Sequence, residues 1–363
     1  MRILYFIECM SKGGKERRLF ELIRNLRDKK EFEIFLLTLR PDSDFPELQN
    51  VVINHSFIGN GPSKNWLMVL FKCFRAILRF KPGIVHTWGD INSLIAVLLK
   101  PFFAYSLVNS QITAAPAVVK RSFLFHTIPF TFSEVITANS KAGLLAYCPP
   151  KNKSQVIYNG FDFNRTANLL SSDNIKVELG IRSEFVVGMF SNFTPAKDYP
   201  LFFAIAQKIL EKMENVTFVC AGKGDFTGLF ADLSETARLR FRVMGPSDEV
   251  EQLMSICDIG LQLTNTHGHG EGISNSILEL CALGKCVIAT NCGGSPEIIE
   301  NGVSGYLVGN NADSVSNLVE SLLRDSSKRV ELGNNAREVI KSKFSIERMI
   351  DDFRKIYEGC AVS

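Results

Sequence analysis

A chain of 363 residues exceeds what one ordinary hydrophobic core organises, so two domains are expected. At 46% hydrophobic and 22% charged residues, the composition excludes disordered and fibrous classes and reads as globular and soluble. A net charge of +3 does not recommend nucleic acid as a partner. That small total conceals an asymmetry. Residues 1–165 carry 22 Lys and Arg against 12 Asp and Glu, and the remainder 19 against 26. Either the first half meets an anionic partner, or the difference is scatter between two domains. Nine cysteines at irregular spacings, with no C-x-x-C pair, argue against a disulfide framework or zinc site and for a reducing, cytoplasmic compartment.

Short apolar runs alternate with amphipathic helical patterns along the chain, the pattern of parallel α/β sheets. Residues 1–7 are too short an apolar run for a signal peptide and read as a first strand. Further strands are predicted at 32–37, 83–86, 106–109, 135–138 and 154–158, with helices such as 15–27 and 64–80 between them. Residues 163–173 look like a polar linker. The pattern restarts at 185–190 and continues at 216–221, 241–244, 259–263, 287–290 and 305–308. Two doubly wound units in tandem follow from this restart. The longest apolar stretch, 94–108, is broken by Lys100-Pro101 and falls short of the ~20 residues of a membrane span.

In residues 64–81, Lys64, Lys72, Arg75 and Arg79 fall on one helical stripe, and the rest is strongly apolar. That composition suits a helix lying on an anionic membrane surface; it also suits a core helix with a basic solvent face. Residues 120–132 form a second apolar segment behind Lys120-Arg121, either an acceptor-groove wall or core. Asp42-Ser43-Asp44 sits in a Pro-flanked polar loop and reads as a solvated turn.

The most informative stretch is Gly270-Glu271-Gly272-Ile273-Ser274-Asn275-Ser276-Ile277-Leu278-Glu279. Gly270 and Gly272 permit close backbone approach to a ligand, and Ser274 or Asn275 is placed to cap the apolar helix that follows. Exposed N–H groups and the positive helix end make an anion site. Ionised carboxylates accept hydrogen bonds only, which suits hydroxyl donors at either end. Glu279 lies in a helix apolar nearly all round, so it is buried and needs a partner. An anion flanked by two polyols describes a sugar nucleotide.

The spacing of Glu271 and Glu279 resembles the E-x7-E motif of retaining glycosyltransferases of family 4. Gly284-Lys285-Cys286-Val287-Ile288-Ala289-Thr290, Gly293-Gly294-Ser295-Pro296-Glu297-Ile298-Ile299 and Asn301-Gly302-Val303-Ser304-Gly305-Tyr306-Leu307-Val308 are similar to the family's segments, in its order. Gly13-Gly14-Lys15-Glu16-Arg17 resembles its N-terminal glycine pair, and Asn159-Gly160-Phe161-Asp162 the close of its first domain. The resemblance implies the GT-B fold: two Rossmann-like doubly wound domains, 1–165 on the acceptor side and 166–345 binding nucleotide sugar, facing across a cleft. It also implies that helix 346–363 packs back on the first domain.

By the same resemblance, Glu271 meets donor sugar hydroxyls and Glu279 the ribose. The backbone of Gly272, Ile273 and Ser274, with Asn275, meets phosphate or sugar. Lys197 is the phosphate cation. Asn192 stands where the family usually places an arginine, so Lys223 is a candidate replacement charge. Gly222-Lys223-Gly224 resembles a second glycine pair, and Gly13 and Gly14 are candidates for donor or acceptor contact. The family's first-domain histidine has no counterpart in 108–113, while His86 matches another strand-end histidine and is a catalytic candidate or one satisfied by local backbone. His267 and His269 adjoin Glu271, but no third ligand is spaced to complete a metal site.

The implied activity is metal-independent transfer with retention from a nucleotide sugar, UDP-linked, to a glycan or lipid-linked acceptor of bacterial surface polysaccharide. No other cofactor is implied. The alternatives are a non-catalytic GT-B partner or regulatory protein that binds nucleotide sugar, and a soluble disaccharide synthase.

Overall fold

The computed structural model describes the chain except for residues 12, 28, 52–53, 59–65, 117–122, 231–232, 248, 268 and 363. The chain divides into two compact units, Met1–Gly160 with Ile346–Ser363, and Phe161–Ser345. Each is a Rossmann-like parallel sheet with helices.

The first unit contains β1 (Arg2–Ile7), β2 (Glu33–Thr38), β3 (Asn54–Phe57), β4 (Ile84–Thr87), β5 (Ser106–Ile112), β6 (Val135–Ala138) and β7 (Ser154–Val156). They form one parallel sheet in the order β3-β2-β1-β4-β5-β6-β7. Ile3 to Ile7 are all buried, because helices cover both faces of a parallel sheet. β3 was not expected. Its Asn-His-Ser-Phe sequence has no strand pattern, and it forms at the sheet edge by pairing with β2.

Helix Ile346–Val362 belongs to this unit although it ends the chain. Ile346, Met349, Ile350, Phe353, Ile356, Tyr357 and Cys360 recur at helical spacing and join the core formed by Tyr5, Leu19, Leu22 and Ile23. The Tyr5 hydroxyl donates to the Tyr357 hydroxyl at 3.1 Å.

The second unit contains β8 (Phe185–Phe190), β9 (Val216–Ala221), β10 (Phe241–Met244), β11 (Ile259–Gln262), β12 (Cys286–Thr290) and β13 (Tyr306–Val308), in the order β10-β9-β8-β11-β12-β13. All pairings are again parallel. Residues 163–173 are more ordered than a linker. They open on a 3-10 turn, Phe163–Thr166, and run into helix Ser172–Glu178. Among the described residues, no helix is long and apolar enough to cross a membrane.

The C-terminal helix holds its sheet through apolar contact, and Phe353 is fully buried there. Truncation to Phe353→Ala is expected to destabilise the first unit by about 3–5 kcal/mol. Both tryptophans, Trp66 and Trp88, lie in that unit, so urea unfolding followed by tryptophan fluorescence measures the loss.

Candidate functional site

The winding of the second sheet reverses between β8 and β11. Ligands of open α/β sheets bind outside the strand carboxyl ends at such a reversal. Ser191 follows β8 and Gln262 ends β11, and the Ser191 hydroxyl donates to Gln262 Oε1 at 3.2 Å. Lys197 pairs with Thr264 in an antiparallel bridge, and Asp198 N donates to Leu263 O, so the lysine loop is tied to the chain leaving β11. Asp198 then caps helix Tyr199–Leu210 by accepting from Leu201 N at 3.2 Å.

Glu271 reaches this point from the glycine loop. The loop is set by backbone contact with the turn after β12. Gly294 N donates to Glu271 O at 3.0 Å. Gly293 has φ +54°, and a Cβ there would lie 1.9 Å from Glu271 O, so only glycine fits. The result is a partly buried ion pair, Lys197 Nζ to Glu271 Oε2 at 2.6 Å, with Gln262 Nε2 at 3.4 Å from the same oxygen.

Eight residues on, Glu279 is buried in helix Asn275–Ala282. Its Oε1 accepts from Arg165 Nη2 at 3.0 Å. The same nitrogen contacts Glu251 Oε1. Gly272, Ile273 and Ser274 are buried between the two glutamates. Ser274, one of the two expected caps, occupies the N-cap position, and its side chain makes no capping bond. Ser276 instead ties the helix to the sheet by donating to Phe190 O at 2.5 Å.

Asn192 takes a structural part. Its Oδ1 accepts from Lys223 N at 3.1 Å, and Phe193 N donates to Lys223 O at 2.8 Å. Gly222 makes that apposition possible, since a Cβ would lie 1.9 Å from Ser191 O. Lys223 is exposed, as are His267 and His269 on the loop before Glu271. Cys292 is half-buried at the same place. Burial pushes its thiol up, the Thr264 hydrogen bond opposes this, Glu271 adds to it and Lys197 opposes it.

Arg165, Glu251, Gln262 and Cys292 were absent from the sequence-based site. Arg165 and Glu279 are 114 residues apart in sequence, a separation that no motif spans.

Gly13, Gly14 and His86 lie in the first unit. Gly14 begins helix Gly14–Arg27 and Gly13 precedes it, after β1. His86, the strand-end histidine, lies in the core of the first unit. It is fully buried, with Nδ1 2.8 Å from the Tyr357 hydroxyl and Nε2 2.6 Å from Ser110 Oγ. Tyr5, Trp88 and Phe353 pack around the ring. Burial first, and the charge of nearby Arg18 second, hold its pKa well below the ordinary value. Arg18 is itself buried over Trp88 and Phe353, donates to Ile157 O at 2.6 Å, and is pushed down to about 9 by desolvation.

Residues 171–339, most of the second unit, match the family model of glycosyl transferases group 1. Among relatives, the O-antigen biosynthesis glycosyltransferase WclY of Escherichia coli is 24% identical over 379 aligned positions, covering 99% of this chain and 98% of that one. The N-acetyl-alpha-D-glucosaminyl L-malate synthase of Bacillus anthracis is 28% identical over 213 residues, 57% of this chain and about half (54%) of that relative. The crystal structure of Anabaena Alr3699/HepE in complex with UDP superposes with a TM-score of 0.85 at 21% identity, over 99% of this chain and 100% of that chain. The fold is therefore that of the two-domain GT-B proteins.

The buried His86 has a consequence for stability. Its folded pKa is depressed, so below about 6.5 the unfolded chain takes up a proton that the folded chain refuses. Stability is full above that pH and falls by about 1.4 kcal/mol per pH unit beneath it. Urea midpoints from pH 7 to 5 are expected to fall less steeply in His86→Phe than in the parent.

Proposed function

We propose that this chain is a retaining, metal-independent glycosyltransferase that moves a sugar from a UDP-linked donor to a glycan or lipid-linked glycan acceptor in surface polysaccharide synthesis. The Lys197–Glu271 pair at the sheet reversal, with Glu279 one helix turn beyond the glycine loop, carries the reading. Relatives named for O-antigen synthesis and for galactosyl transfer from UDP-Gal to a diphosphoundecaprenol-linked sugar support the substrate class. The neighbour crystallised with UDP supports the nucleotide.

On this reading the diphosphate takes Lys197 from Glu271. The lysine then stabilises the leaving diphosphate, helped by the amides opening helix Asn275–Ala282. Glu271, released, accepts hydrogen bonds from donor sugar hydroxyls, and Glu279 accepts them from the ribose. Thermal unfolding with UDP, GDP, ADP and CMP tests the donor site. A ligand at a hundred times its Kd adds about 2.7 kcal/mol. UDP alone is expected to raise Tm, and Glu279→Ala to abolish the rise. Lys197→Ala is expected to slow sugar transfer by about 10²–10³-fold. A protein that binds UDP but neither transfers nor hydrolyses the donor is the non-catalytic partner.

A peripheral membrane position is the second part of the proposal. Helix Trp66–Phe80 buries Val69, Cys73, Ile77 and Phe80. Its other faces expose Trp66, Leu67, Met68, Phe71 and Leu78 beside Lys72, Arg75 and Arg79. Lys64 lies outside the described residues, as do Lys120 and Arg121 of the second apolar segment. Apolar side chains flanked by cations fit an anionic lipid surface. Phosphatidylglycerol vesicles are expected to co-sediment the protein at low salt, and Arg75→Glu with Arg79→Glu to release it. A parent that stays in the supernatant would be a soluble enzyme, and equal co-sedimentation of both would take this helix out of the membrane contact.

A further inference from the structure

Two buried glutamates, Glu251 and Glu279, meet one guanidinium, that of Arg165. The three groups together carry one negative charge in excess. A buried carboxylate is stable only when hydrogen-bonded or paired, and Arg165 supplies that partner to Glu279. An ionised carboxylate accepts hydrogen bonds only, which suits hydroxyl donors.

The guanidinium is held from several sides. Arg165 stands in the turn Phe163–Thr166, where Asp162 Oδ1 accepts from Asn164 N at 2.9 Å. Its guanidinium carbon lies 5.1 Å from the centre of the Phe161 ring. Glu251, at the start of helix Val250–Ser255, takes the same Nη2 that reaches Glu279. A planar fork fixed in this way sets the direction of the carboxylate it binds.

We propose that Arg165 is a positioning residue for the nucleotide: anchored by Glu251, it aims the Glu279 carboxylate at the ribose hydroxyls. The inference rests on the reading of Glu279 as the ribose partner. Arg165 itself does not touch the nucleotide.

The test compares UDP with 2′,3′-dideoxy-UDP by calorimetry on the full chain. The parent is expected to prefer UDP by about tenfold or more. Glu279→Ala is expected to erase the preference. Arg165→Gln, Arg165→Lys and Glu251→Gln are expected to remove most of it while leaving affinity for the dideoxy nucleotide unchanged. Arg165→Lys keeps the charge and decides the matter where Arg165→Gln does not fold. Equal weakening of both nucleotides would make Arg165 a structural residue and overturn the proposal, as would a preference intact in the Arg165 variants. A preference that survives Glu279→Ala overturns the reading of Glu279 first. A preference lost in Glu279→Ala but kept in Arg165→Lys overturns only the inference.

Discussion

Where the second sheet reverses its winding, between β8 and β11, the connections leave in opposite directions and the strand carboxyl ends stay uncovered. The rest of the site depends on that gap. Ser191 and Gln262 close its two strands and bond to each other. The Lys197 loop is stitched to the chain beyond β11, and the Glu271 loop rests on the glycine turn beyond β12. Three strand ends thus converge on one ion pair, and each loop is fixed by backbone contacts that side-chain substitution elsewhere does not reach.

The two charge clusters of this unit differ in kind. Lys197 and Glu271 are partly exposed, at 15% and 32% of their side-chain surface, and meet through one short contact. Water or a phosphate can replace either partner at modest cost. In the other cluster the two carboxylates, Glu251 and Glu279, are more deeply buried, at 7% and 6%, and removal of Arg165 leaves buried negative charge with less compensation. An exchangeable pair beside a fixed one suits a site where phosphate must displace a carboxylate while a second carboxylate keeps its aim.

How much of this was legible follows from where each signal lies in the chain. Glu271, the glycines and Glu279 are contiguous, and an apolar helix around Glu279 announces its burial. Strands such as β1, β8 and β9 are largely apolar runs between helical patterns, which marks their limits in the sequence. β3 escaped because an edge strand is specified by its neighbour rather than by its own pattern. His86 looked like a site residue because it ends a strand; only the distant helix Ile346–Val362, which supplies Tyr357 and Phe353, makes it core. Arg165 sat in what read as a linker, since a 3-10 turn leaves no periodicity to detect.

Asn192 sharpens the electrostatic question. Where the resemblance to family 4 leads one to expect an arginine, the chain has an amide that pins Lys223 N and holds two loops together. The amide adds no charge and fixes the backbone around Ser191 and Gly222. Among Lys197, Glu271, Arg165, Glu251 and Glu279 the formal sum is then negative, which by itself disfavours a diphosphate. On the proposed reading, affinity must come from local geometry: Lys197 transferring from Glu271 to phosphate, and the amides opening helix Asn275–Ala282. Such a site binds its anion only by giving up its own ion pair, which couples donor entry to the release of Glu271 for the sugar. A site with an added arginine would bind the diphosphate without that coupling.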